Sequence, residues 1–420
     1  MGLPTILNSK SRFPASGPLL PGIDSVNDLA QMNGVRECLQ TLVKSKSWVN
    51  EKHLELCRIA APTFFEQRRA EWMAAEFAAL GYDASIDRAG NVTALAPGSG
   101  DGPLIAITAH LDTVLAPRSP DEVSLHPDGS MRGPGVSDNG AGLAGLLAIA
   151  RALHLSPELP IARAGVVFAA NVCEEGEGNL NGMRYLCGHS PLAPRIRSFL
   201  ILDGPATDHI TAQALASRRF EIAFSGPGGH SWSDFGIGNP VHALSRAIAL
   251  FSDAQKHGRS PRASFNFGLI EGGVSINSIP TLARAKLDLR SESPERIEEM
   301  SQFLTSSVER AMESENANAT GSRVAAKIRE IGSRPGGQLA EDASLLRFLR
   351  AVDTHLSVRS QVDCASTDAN IPLSLGIPAV SIGAGGQGGG AHTPAEWFHP
   401  EGRETGLKRI LLTLCLLLAE

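Results

Sequence analysis

Hydrophobic spacing divides the chain into stretches of different period. From about 35 to 80, apolar residues recur three and four positions apart, as at Trp72, Met73, Phe77 and Leu80, and Gly81 follows as a C-terminal cap, so this stretch reads as helical. Four short runs, 103–109, 166–172, 199–202 and 377–382, are apolar almost without interruption. Strands covered on both faces, as in a parallel sheet wrapped by helices, carry that pattern. Between the first two runs, Leu143, Leu146, Leu147, Ala150 and Leu153 form one apolar stripe, the helix of a β-α-β crossover. The apolar run 410–419 has about half the length a bilayer requires and reads as a buried terminal helix.

The middle of the chain follows another order. Strand 218–224, helix 241–251, strand 264–270, alternating strand 282–289, helix 297–312 and strand 324–331 give βαββαβ, which suits a ferredoxin-like antiparallel sheet with both helices on one face. The predicted fold is therefore α/β. A first domain with a mostly parallel, helix-covered sheet is built from 31–212 and 333–420, and an inserted second domain occupies 213–332. Residues 1–30 are rich in Pro and Gly and aperiodic, which predicts a surface or unstructured tail without chemistry.

Composition narrows the function classes. A chain of 420 residues exceeds what one core usually serves, and 42% hydrophobic with 20% charged residues is ordinary globular composition. The net charge of -6 and the lack of any Lys/Arg run speak against nucleic acid as a partner. No stretch reads as a signal peptide or membrane span. Cys38, Cys57, Cys173, Cys187, Cys364 and Cys415 form no CxxC pair, so they read as reduced thiols of a cytoplasmic protein and not as a disulfide framework or thiolate metal site.

Candidate chemistry sits at the ends of the apolar runs. Ala109 leads into His110-Leu-Asp112, Val172 into Glu174-Glu175, Leu202 into Asp203, and Ile382 into a glycine loop that ends at His392. Asp138 lies in the turn before the helix that begins near Gly140. Ligands of open α/β sheets gather beyond the carboxyl ends of the strands, so His110, Asp138, Glu175, Asp203 and His392 are candidate ligands on one edge. Three carboxylates with two imidazoles suit a divalent ion such as zinc, with Mn or Co as alternatives, and such crowded carboxylates need cations to neutralise them. Gly133-x-Gly-x-x-Asp138 is no dinucleotide fingerprint, because an acid in its last position repels pyrophosphate, and no Gly-x-Ser-x-Gly elbow is present.

Ala-His110-Leu-Asp112-Thr-Val, Gly133-Pro-Gly-Val-Ser-Asp138-Asn-Gly, Glu174-Glu175-Gly, Asp203-Gly, Gly228-Gly-His230-Ser and Gly390-Ala-His392-Thr-Pro occur in this order from about 50 onward. In these motifs the sequence resembles the M20-type metallopeptidases, a family of peptidase T-like aminopeptidases, glutamate carboxypeptidases and N-acyl-amino-acid deacylases. The resemblance implies two divalent metal ions bridged by Asp138, with His110 and Asp203 at one and Glu175 and His392 at the other. It also implies that Asp112 orients His110 and that Glu174 is the general base for the attacking water. His230 resembles the family histidine that reaches a neighbouring subunit's site and stabilises the oxyanion, which implies a homodimer. Asn277 and Arg290 resemble substrate-gripping positions, and the glycine loop with Gly385 is expected to let substrate backbone approach closely.

For each residue a plainer structural role competes. Asp112 and Glu174 could cap a helix or loop, Gly-Gly-His230-Ser could be a tight turn, and Arg290 could be a solvated strand residue. His126, His189, His399, Glu177 and Asp368 are left with ordinary structural roles. The expected function is hydrolysis of an amide bond in a small peptide, with N-acyl-amino-acid deacylation second. A non-catalytic, metal-stabilised binding protein is the reading from a different class.

Overall fold

The computed structural model describes residues 19–156, 163–255 and 261–420. Its main sheet runs in the order Asp83–Ile86, Val92–Leu95, Gly165–Asn171, Leu104–His110, Ile196–Leu202, Ala379–Ile382, His209–Ala214 and Gly337–Gln338, with Gln361–Ala365 also paired to His209–Ala214. The four strands from Gly165–Asn171 to Ala379–Ile382 are mutually parallel, and they coincide with the four apolar runs. Antiparallel strands flank them, so the sheet is mixed, parallel at its centre. Helices Gly140–Leu155 and Arg403–Ala419, buried over almost their whole lengths, pack on this centre. Burial on all sides explains why neither helix shows a polar face in sequence.

The helical stretch after 30 divides into Asn33–Lys44, Lys46–Cys57 and Gln67–Ala79. Between the last two, Pro62 breaks the helical run and bridges to Thr113, just beyond the strand that carries His110. Of the expected tail, 1–18 lie outside the described residues. Residues 19–30 depart from that expectation: Ser25 caps helix Val26–Gln31, which buries Val26 and Leu29 in the main core. Among the described residues no helix is long and apolar enough to cross a membrane.

A second core collects residues between Ala216 and Val324. Its antiparallel sheet runs Ala263–Gly272, Leu282–Ser291, Ala216–Ser225, Ala325–Arg334. Along Leu282–Ser291 every second residue (Ala283, Ala285, Leu287, Leu289) is buried, and these share the core with Phe251 of helix Pro240–Ala254 and Leu304 of helix Pro294–Asn318. Among the described residues both helices of this core lie on one face of the sheet, which gives the period-two alternation its origin.

Candidate metal centre

Each candidate ligand is placed by an element that has another reason to be rigid. His110 ends a strand buried at every position. Its Nδ1–H donates to the carbonyl of Asp112 at 2.9 Å, which directs Nε2 towards Asp138 and Asp203. The Asp112 carboxylate is farther from that imidazole, 3.6 Å at Oδ1. It accepts instead from the backbone N–H groups of Glu174 and Glu175, both at 2.9 Å, and from the Thr63 hydroxyl at 2.9 Å. Asp112 therefore fixes the Glu174-Glu175 turn to the end of the neighbouring strand.

Asp138 is held by its surroundings in the same manner. Glu396, buried, accepts from the N–H groups of Gly135, Ser137 and Asp138 at 2.7, 2.8 and 2.8 Å. Asn139 caps helix Gly140–Leu155 through Gly142, and it also donates to the Leu202 carbonyl and accepts from Gly204 N–H, so it ties Asp138 to the strand end that carries Asp203. His392 arrives on the glycine loop after Ala379–Ile382 with a left-handed φ of 64°.

Among the described residues the side chains form three clusters, of which two share Asp138: His110, Asp138 and Asp203, and Asp138, Glu175 and His392; the third joins His110 to Glu174 and Glu175. His110 Nε2 lies 3.1 Å from Asp138 Oδ1 and 3.8 Å from Asp203 Oδ1. His392 Nε2 lies 3.1 Å from Asp138 Oδ2 and 2.9 Å from Glu175 Oε1. Ligand bonds of about 2.0–2.2 Å around a tetrahedral ion place neighbouring donor atoms about 3.4 Å apart, so these separations fit. Asp138 Oδ1 is buried without a hydrogen-bond partner, an orphaned acceptor at the shared position. The donor set therefore fits a pair of divalent ions.

The electrostatics agree. Burial alone would lower the His110 pKa, yet Asp112, Asp138 and Asp203 raise it well above the ordinary imidazole value. His392 is raised to about 9 by its hydrogen bond with Asp138 together with the charge of Glu175. Burial pushes Glu174 up, against the opposing charge of Arg334. Carboxylate charge exceeds its partners here, so protons occupy places that cations can take.

A sequence profile described as Peptidase family M20/M25/M40 matches residues 106–415. The chain belongs to the M20 peptidase family. Among its relatives is a succinyl-diaminopimelate desuccinylase of Corynebacterium glutamicum, 28% identical over 291 residues that cover 67% of this chain and 73% of the relative. A Staphylococcus aureus tripeptidase shares the fold with a TM-score of 0.73 at 20% identity, over 89% of this chain and 99% of its own. So does a Bacillus subtilis dinuclear metal-binding peptidase of the M20 family, with a TM-score of 0.64 at 17% identity, over 89% and 98%.

The remaining candidates of this M20 hydrolase lie elsewhere. His230 is exposed on the short strand Gly229–His230, and its polar contacts stay with its own loop: its N–H donates to Asp234, and Trp232 N–H donates to its Nδ1 at 3.2 Å. Asn277 is a neighbour in the same loop pair, its carbonyl accepting from Ser231 N–H. Arg290 is ion-paired with Asp288 at 2.8 Å. Among the described residues none of the three contacts the ligand sets. Gly385 is buried, with a φ of +89°, and a Cβ there would lie 2.6 Å from the Arg403 carbonyl oxygen. Its lack of a side chain permits close approach of the chain's own helix Arg403–Ala419.

Three buried residues near the centre have contacts that the sequence alone does not reveal. Glu396 holds the Asp138 turn, Arg334 pairs with Glu174 at 3.0 Å, and Asp368 accepts from Asn171 at 2.7 Å while its Oδ1 has no partner. For Asp368 the sequence suggests only an ordinary structural role. Burial raises its pKa to about 7.

Proposed function

We propose that the chain hydrolyses an amide bond in a small peptide at a pair of divalent ions, zinc first among the candidates and Mn or Co next. His110 and Asp203 hold one ion, Glu175 and His392 the other, and Asp138 lies between them. When bound, such ions lower the pKa of water and polarise the substrate carbonyl. Glu174 is the general base: its carboxylate takes the proton of the attacking water and passes it to the departing nitrogen. The observation that carries this reading is the sharing of Asp138 by two ligand sets, one within reach of each of its oxygens. Asp112 acts through the backbone of the Glu174-Glu175 turn.

On this reading 213–332 serves as the dimerisation and lid unit. His230 accepts Trp232 N–H at Nδ1, so the neutral ring carries its proton on Nε2, ready to donate to an oxyanion in the site of a second copy. Asn277 and Arg290 grip the substrate, Arg290 after exchanging Asp288 for a carboxylate. The six cysteines, none bonded to another, agree with a cytoplasmic setting. Deacylation of an N-acyl amino acid is the second reading, favoured by the similarity to the desuccinylase.

The test is metal analysis of purified protein joined to assays of dipeptides, tripeptides and N-acyl amino acids. Two ions per chain are expected, and Glu174→Gln is expected to keep both while hydrolysis falls by about 10²–10⁴-fold. A Glu174→Gln protein with full activity would remove the base assignment.

A further inference from the structure

Arg334 is the last residue of Ala325–Arg334, the edge strand of the inserted sheet, and it is buried against the other domain. Its Nη1 donates to Glu174 Oε1 at 3.0 Å and to Ser366 Oγ at 3.1 Å, and its Nη2 donates to the Glu174 backbone carbonyl. Among the described residues it is the one hydrogen-bond donor to the Glu174 carboxylate. Neighbouring residues fasten the same turn. Ser333 N–H donates to Asn179 at 2.9 Å, and Arg219, on the adjacent inserted strand, donates to the Gly176 carbonyl at 2.7 Å.

A glutamate side chain has three rotatable bonds and settles only where partners hold it. Glu175 and Asp368 add like charge around Glu174, so its carboxylate needs a counter-charge to hold it in place. A guanidinium is a rigid planar fork, and here one prong takes the carboxylate while the other takes the carbonyl of the same residue. Oε1 is occupied, and Oε2 is left as the oxygen that can face a water.

We infer that Arg334 is a positioning residue, a two-pronged clamp delivered by the inserted domain that fixes the Glu174 carboxylate beside the ligand sets. The inference rests on the proposed role of Glu174 as base. It makes the placement of the inserted sheet and the aim of the base one geometric quantity.

The experiment compares Arg334→Gln, Arg334→Lys, Glu174→Gln and the Glu174→Gln/Arg334→Gln double variant, each metal-loaded, by kcat and KM on a hydrolysed substrate and by metal content. For Arg334→Gln, kcat is expected to fall about 100-fold with KM changed by less than about twofold and both ions retained. Lysine is a point charge that reaches one of the two oxygens, so Arg334→Lys should recover part of the loss. In the Glu174→Gln background Arg334→Gln should cost little further, because the clamp serves catalysis by aiming that carboxylate, whereas a general structural role would multiply the two losses. An unchanged kcat in Arg334→Gln, or multiplied losses in the double variant, overturns the inference. If Arg334→Gln does not fold, Arg334→Lys decides, and wild-type kcat there overturns the two-pronged clamp. Full activity in Glu174→Gln would overturn the base assignment and the inference with it; an inactive Glu174→Gln beside a fully active Arg334→Gln removes the inference alone.

Discussion

Replacing Glu396 with Gln changes one atom of a buried side chain and leaves its volume almost untouched. In the native arrangement Oε2 accepts from Gly135 N–H at 2.7 Å and Oε1 accepts from Ser137 and Asp138 N–H at 2.8 Å each. The amide oxygen of Gln can keep the latter two, but its NH₂ then faces the Gly135 N–H, donor against donor. The opposite flip is worse, because it sets donors against two N–H groups. One charge-assisted bond is lost, worth about 1.5–3 kcal/mol, and the other two weaken as the charge disappears, so a total near 3 kcal/mol follows. These bonds set the turn that presents Asp138, the residue common to both ligand sets. If the turn carries the full cost, metal affinity falls about 100-fold, at 1.4 kcal/mol per tenfold. That lies within the roughly 10–100-fold range of residues that support metal ligands. Chelator-competition titration of the purified variant measures this, with circular dichroism to confirm the fold. A folded Glu396→Gln protein that binds metal within about threefold of wild type would refute the idea that Glu396 fixes the Asp138 turn.

Two further outcomes concern pH. With its pKa raised to about 9, His392 favours the metal-free fold when protonated; that stabilisation is complete below the unfolded imidazole value and is lost as pH rises through 9. Metal must displace this proton, so binding near pH 7.5 should release protons and tighten as pH rises; calorimetry in buffers of different ionisation enthalpy should give different heats, and identical heats would count against it. Asp368, raised to about 7 by burial, acts in the same direction: above the unfolded carboxyl value of about 3.9 the metal-free fold loses stability as pH climbs through 7. Metal-free Asp368→Asn should therefore melt higher than wild type at pH 8 and alike at pH 4, and equal melting at both pH values would contradict the burial cost.

The legible part of the fold was the part decided by burial on both faces. Runs such as 104–110 and 166–171 are apolar because they are buried at nearly every position, the pattern of a short central strand. The flanking strands Asp83–Ile86, antiparallel to its neighbour, and Gln361–Ala365, parallel to its own, are largely exposed, so their sequences carry little pattern and neither edge is legible. Candidate ligands could be read because each ends a legible strand or opens a legible helix. Glu396, Arg334 and Asp368 could not. They act across separations of 258, 160 and 197 residues, and their sequence neighbours carry no periodic signal. A buried charge is recognisable only once its partner is in place, although Glu396, four residues after His392 and next to a proline-marked turn, had a local hint.

His392 meets Glu175 and Asp138 across 217 and 254 residues, with the whole inserted domain made in between. During synthesis the chain therefore displays His110, Asp138, Glu175 and Asp203 for a long interval before the last imidazole exists. Helix Arg403–Ala419, which fills the middle of the main core, emerges later still. The inserted domain owns a separate core and can settle while it waits, whereas the first half holds a sheet without its Ala379–Ile382 strand. Premature capture of a metal by the incomplete set, and exposure of the open sheet edge at Ile196–Leu202, are hazards that this gene order imposes on the nascent chain.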